Sequence, residues 1–274
     1  MKNFVRQILD FISRNSRSNM LERIRYAEAL RATDRYNDPK SLIRYEHQIF
    51  SQNGEDGSIR EIFRRVGESS RFFIEIGVGN GQENNTTFLL LQGWRGIWVE
   101  GSASHCNSIR KTFKNEIASG QLILIEAYVT AENINSLIDP HVNCEVDMLS
   151  LDIDRNTYHV WQALNVIHPK VSVIEYNPTF PADVVWAVHY DAKLWWKSTS
   201  YYGASLAALA LLGEHKGEQL VGCDLTGTNA YFVRTDLCGD LFLEPGSAAR
   251  HYEPSRIYLQ GRQLGHSRQY SDRH

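Results

Sequence analysis

From Phe72 onward, short apolar runs alternate with amphipathic stretches, a pattern that predicts repeated βαβ units around a parallel sheet. Strands are predicted at Arg71–Ile76, Gly96–Glu100, Gln121–Ala127, Asp147–Asp152 and Val171–Tyr176, and helices at Asn84–Gln92, Ser104–Ala118, Ile134–Ile138 and Thr157–Ile167. A stretch rich in tryptophan and tyrosine follows, and then an apolar helix, Ala204–Leu212. Two last strands, Gln219–Cys223 and Ala230–Arg234, are joined by only Asp224 to Asn229. So short a connection permits an antiparallel hairpin and excludes a parallel crossover. The expected fold class is α/β: a Rossmann-like, doubly wound, mainly parallel sheet that ends in an antiparallel hairpin.

The flanks differ from this core. In residues 1–45, Val5, Ile8, Leu9 and Ile12 are spaced for one helix face and arginines occupy the others, which predicts an N-terminal helical extension. Residues 46–243 form the Rossmann-like domain, and residues 244–274, with Pro245, Pro254 and several arginines, lack periodicity and are expected to form a loosely held tail. A chain of 274 residues suits one such domain with extensions at its ends.

Composition narrows the partners. A formal charge of −3 offers no electrostatic case for nucleic acid, and no apolar stretch approaches the roughly 20 residues that span a bilayer. Cys106, Cys144, Cys223 and Cys238 are far apart and form no zinc-site spacing, and the amino terminus lacks the apolar core of a signal peptide. A reduced, cytoplasmic protein is expected, with homo-oligomerisation left open.

Candidate chemistry begins at Glu75-Ile76-Gly77-Val78-Gly79-Asn80-Gly81, a glycine turn after an apolar strand, where backbone passes close to a ligand. Dinucleotide sites want G-x-G-x-x-G; here the glycines are Gly77, Gly79 and Gly81, and Glu75 precedes them. A carboxylate there suits the cationic amine and sulfonium of S-adenosylmethionine and is out of place beside a pyrophosphate. Glu100, ending the next strand, is placed to accept ribose hydroxyl protons, and Tyr128, after the third, lies where an adenine edge is expected.

Taken in order, Ser51-Gln52-Asn53-Gly54-Glu55-Asp56-Gly57, Phe73-Ile74-Glu75-Ile76-Gly77, Asn85-Thr86-Thr87 and Gly93 to Glu100 resemble the FkbM-like branch of class I S-adenosylmethionine-dependent methyltransferases, over residues 46–235. The resemblance implies O-methylation of sugars or other small hydroxylated molecules. It carries cofactor contact onto Glu75, Gly77, Gly79, Glu100 and Gln52. Where many relatives read Asp-x-Glu-Gly, this chain departs with Asp152-Ile153-Asp154-Arg155-Asn156.

Ligands of open α/β sheets sit beyond the carboxyl ends of the strands, so Asp152 and Asp154 are expected to meet Glu175 and Asn177 there. Such an oxygen-only set suits magnesium or another divalent cation, which could hold and acidify an acceptor hydroxyl. The alternative is that Asp152 touches cofactor or substrate while Asp154 caps the helix beginning near Asn156 and Glu175 pairs with Arg155 or a lysine. Without a metal, His189, and after it His159, is the candidate base. The aromatic stretch, with Trp186, Tyr190, Trp195 and Tyr202, is expected to wall a saccharide acceptor, because aromatic faces stack on sugar rings. Two other readings stand beside this one: a noncatalytic partner-binding protein on the same fold, and a nicotinamide-dependent oxidoreductase.

Overall fold

A computed structural model describes residues 20–259, so the apolar face expected at Val5, Ile8, Leu9 and Ile12 lies outside the described residues. Seven strands form one sheet: β1 (Phe72–Ile76), β2 (Arg95–Glu100), β3 (Leu122–Glu126), β4 (Met148–Leu151), β5 (Val171–Glu175), β6 (Glu218–Cys223) and β7 (Asn229–Arg234). Their order is β3-β2-β1-β4-β5-β7-β6. The first five are parallel, and β7 runs antiparallel to both β5 and β6. This is the Rossmann-like sheet with the terminal hairpin that the patterning predicts.

Helices cover both faces, which is why the central strands are apolar on both sides. One face packs α2 (Glu55–Val66), α3 (Thr87–Leu91), α4 (Ala103–Thr112) and α5 (Lys114–Ala118) through Ile59, Ile62, Leu90, Ile109 and Phe113. The other packs α6 (Ile134–Ile138), α7 (Thr157–Ala163), α8 (Leu206–His215) and α9 (Ala248–His251) through Ile134, Trp161 and Leu209. The single helix expected over Ser104–Ala118 is interrupted at Phe113, whose fully buried ring packs edge-on against Trp98 at 4.7 Å. The expected start at Asn84 moves to Thr87, because residues 84–86 are bonded to Glu75 instead.

The order β2-β1-β4 places a switch point between β1 and β4, where chains leave the sheet in opposite directions and open a crevice at their carboxyl ends. Pairing of Leu151 with Ile174 brings Asp152 level with Glu175, and Glu175 pairs with Asn229 of β7. The helical residues 20–31 (α1) pack with Tyr36, Ile43, Leu225 and Leu259 in a small separate cluster. Residues 244–259 are not loosely held: Glu253 is buried and accepts from Arg35, Tyr36 and Arg256. No described helix is long and apolar enough to cross a membrane, and all four cysteines are unpaired.

Candidate active site

The crevice beyond β1 and β4 is a cleft of about 230 Å³ lined by Gln52, Glu55, Glu75, Gly77 to Asn80, Glu83 to Asn85, Asp152, Thr228 and Asn229. Gly77 and Gly79 shape it for different reasons. A Cβ on Gly77 would lie 1.6 Å from the Asp152 carbonyl oxygen, so only glycine lets the β1 turn approach β4 so closely. Gly79 meets no atom within 4 Å of such a Cβ, but its φ of +60° is left-handed and its cleft side is open. The Gly79 amide donates to Glu100 Oε2 at 2.7 Å, and the Ser102 amide donates to Oε1 at 2.7 Å. Glu100 thus sits at the end of β2, fixed against the turn.

Several expected cofactor contacts are redirected. Gly81 faces the core, where a Cβ would meet Trp98 and Phe113 at 2.8 and 2.9 Å, and it does not line the cleft. Glu75 does line it, but its carboxylate is occupied. Oε1 accepts from Asn85 N and Ser150 Oγ, and Oε2 accepts from Asn84 Nδ2, Thr86 N and Thr86 Oγ1. Burial pushes its pKa up and these bonds oppose that shift. Gln52 lines the cleft with an exposed side chain. Tyr128 is 75% exposed and lies flat enough on Gly101 that a Cβ there would be 2.5 Å from its ring.

Asp152, Asp154 and Glu175 do come together, with carboxylate oxygens all within 4.8 Å of one another. Burial, and then the charges of Asp152 and Asp154, push Glu175 well above the carboxylate range. Asp152 is also raised by burial, and Asp154 is pushed up to about 6 by burial and by the charge of Asp152. Glu175 Oε2 is buried with no hydrogen-bond partner. The Asp154 backbone is left-handed, at φ +58°, which turns the chain back after Asp152. The set fits a hard divalent cation: only oxygen donors, one of them unused, and charges that repel unless neutralised.

Asn177 does not join this group. Its amide nitrogen donates to the Ser200 and Tyr202 carbonyls, and its oxygen accepts from Thr179 N, so it fastens the aromatic loop. His189 is exposed and absent from the cleft, and its carbonyl accepts from Arg155. His159 is tied to the Val188 carbonyl at 2.7 Å. Tyr190 turns away as well, donating to Glu132 and accepting from Ala131 N. Tyr202 faces the acids: after burial, the charges of Glu175, Asp152 and Asp154 raise its phenol. Trp186 stacks on Phe180 at 4.2 Å with an interplanar angle of 23°, and meets Tyr201 edge-on at 5.6 Å. Trp195 is 74% exposed. Glu55, Asn84, Asn85, Thr228 and Asn229 line the cleft without having been expected there. Their signal, polar residues at strand and helix starts, reads in sequence as ordinary capping.

No family model matches the sequence, and no curated protein does. Among solved structures, the chain is similar to an O-methyltransferase from Bacillus cereus in complex with SAH, with 17% identity and a TM-score of 0.35 over 59% of this chain and 67% of that one. It is similar to the N-terminal domain of EvdMO1 with SAH bound, with 12% identity and a TM-score of 0.42 over 76% of this chain and 92% of the other. A third likeness is to an S-adenosylmethionine-dependent methyltransferase from Clostridium acetobutylicum, with 12% identity and a TM-score of 0.37 over 64% and 88%. The fold itself is read from the strand order and register, and these likenesses assign no residue of the site.

Proposed function

We propose that the protein is an S-adenosylmethionine-dependent O-methyltransferase of the FkbM-like kind, acting on a hydroxyl of a sugar, glycan or small natural product with help from a divalent cation. The observation that carries the reading is the 2.7 Å bond from the Gly79 amide to Glu100. It keeps Glu100 at the ribose position beyond β2 and engages a turn amide that a pyrophosphate would need as a donor. A cofactor with ribose hydroxyls, a cationic tail and no phosphate suits that arrangement, and the oxidoreductase reading does not. Glu100 keeps lone pairs for two hydroxyls, since a carboxylate offers about four acceptor sites.

When bound, the cofactor supplies an electrophilic methyl group, so the protein's task is alignment and deprotonation. Asp152, Asp154 and Glu175 are the residues that would hold a divalent cation, which would lower the pKa of an acceptor hydroxyl. Asp152 lines the cleft and so is placed to meet the acceptor hydroxyl, a role for which exposed His189 is poorly placed. Tyr202 beside the acids and the Trp186–Phe180 stack offer the acceptor a polar edge and an apolar face.

Calorimetry with S-adenosylhomocysteine tests the reading. The wild-type chain is expected to bind, and Gly79→Arg and Glu100→Ala each to lose at least about tenfold in affinity, as removal of a charged hydrogen-bonding group does. No binding by the wild type, or unchanged affinity in both variants, would overturn it.

A further inference from the structure

We infer that Glu55 recognises the α-ammonium group at the amino-acid end of the cofactor, the task that sequence spacing assigns to Glu75. The inference rests on the S-adenosylmethionine reading above. It begins from the charge of the cleft. Its lining contains Glu55, Glu75, Glu83 and Asp152 and not one lysine, arginine or histidine. Such a wall selects a cationic guest.

Glu75 cannot serve that guest, because five donors already occupy its two oxygens. Asp152 belongs to the three-acid group that faces the acceptor side. Glu83 is carried on the connection between the glycine turn and α3. Glu55 stands at the first position of α2 after left-handed Gly54. Its Oε1 accepts from Asn53 Nδ2 and Asn229 Nδ2, each at 2.8 Å, and its Oε2 accepts only from Asn53 N at 2.7 Å. Those three bonds fix the carboxylate and leave acceptor capacity on Oε2. Beside it, Asn53 Oδ1 is buried with no hydrogen-bond partner, a second acceptor for a group with three N–H donors.

The direction of the cofactor follows from Glu100. With the ribose held at the end of β2, the amino-acid end must run past Gly77 and Gly79 toward β4 and β7, where Glu55, Thr228 and Asn229 close the cleft. Behind them, burial and the charge of Glu55 push Asp224 up to about 7. Glu55 therefore sits among groups that gain from a neighbouring cation.

The test is calorimetry of the full chain with S-adenosylhomocysteine and with its analogue that lacks the α-amino group. Glu55→Gln is expected to weaken S-adenosylhomocysteine by about 10- to 100-fold, the span of a charged hydrogen bond, while binding the deaminated analogue as wild type does. Glu83→Gln should weaken S-adenosylhomocysteine less than Glu55→Gln does, and Glu75→Gln should weaken both ligands together. Equal loss of both ligands in Glu55→Gln, loss of neither, or a selective loss in Glu83→Gln as large as that in Glu55→Gln would overturn the assignment. If Glu55→Gln does not fold, Asn53→Ala removes the Nδ2 donor that orients the carboxylate together with the unpartnered Oδ1, and keeps the backbone N–H; it should shrink the wild-type preference for the aminated ligand, and an unchanged preference counts against Glu55. A wild-type chain that binds neither ligand defeats the cofactor reading itself, a result distinct from all of these.

Discussion

The three acids at the ends of β4 and β5 oppose one another unless protonation, which burial and their mutual charges favour at Glu175, or a cation between them relieves the repulsion. Asp154 has its pKa pushed up to about 6 by burial and by Asp152, so its contribution to stability is fully present below the unfolded carboxylate value. That contribution is lost as pH rises through 6. A divalent cation should reverse the trend, because it binds the charged forms. Magnesium or calcium at about 100 times its dissociation constant is expected to raise the melting temperature by roughly 5 °C at pH 8 and by far less at pH 5. Differential scanning fluorimetry on wild type and Asp152→Asn checks this. A shift that is equal at both pH values, or that survives in Asp152→Asn, would remove the cation from the account. At this scale the sequence placed Asp152, Asp154 and Glu175 correctly, because strand ends on one side of a parallel sheet must converge. Asn177, Gly81 and His189 do not line the cleft. The Asn177 amide is claimed by the Ser200 and Tyr202 carbonyls, the Gly81 backbone lies against the Trp98 and Phe113 rings, and the His189 carbonyl is held by Arg155, all neighbours distant in sequence that no local spacing reports.

Among the elements, the site depends on how closely β1 and β4 leave the sheet. Gly77 and Gly79 can be told apart by alanine. Gly77→Ala would drive a Cβ to 1.6 Å from the Asp152 carbonyl, against rigid backbone on both sides, and should cost more than about 3 kcal/mol. Gly79→Ala meets no atom within 4 Å and should cost only the left-handed strain of about 1–2 kcal/mol. Urea denaturation measures both, and similar small losses would mean that β1 and β4 are not held this tightly. Element types were readable from apolar period, and Ile134–Ile138 matches to the residue. The interruption at Phe113 was not readable, since the apolar positions Ile109, Phe113 and Ile117 continue one helical stripe across it. Helix α2 lies outside the helices predicted from the sequence, although Ile59, Ile62, Phe63 and Val66 form one apolar stripe along it.

On the scale of the whole molecule, the segments flanking the Rossmann-like domain are stitched to each other across it. Glu253, 2% exposed, receives Arg35 through Nε and Nη2 at 3.1 and 3.0 Å, the Tyr36 hydroxyl at 2.7 Å and Arg256 at 2.8 Å. The Tyr176 hydroxyl, one residue beyond β5, donates to the Glu253 carbonyl at 2.6 Å, and Tyr252 donates to the Pro178 carbonyl. One carboxylate therefore ties residues before the domain to residues after it, and the adjoining backbone ties both to the strand that carries Glu175. Low periodicity concealed this in the sequence, because the segment is held by hydrogen bonds and ion pairs and leaves no apolar stripe. Glu253→Ala would leave the buried Tyr36 hydroxyl and the Arg256 guanidinium without their shared acceptor. It should cost about 2–4 kcal/mol, at the low side for a buried ion pair since Arg35 remains 45% exposed and water can replace part of its loss. Unfolding curves in urea give the magnitude, and limited trypsin digestion should cut sooner after Arg250 and Arg256. A variant that keeps wild-type stability and trypsin resistance would show that residues 244–259 are held by something other than Glu253.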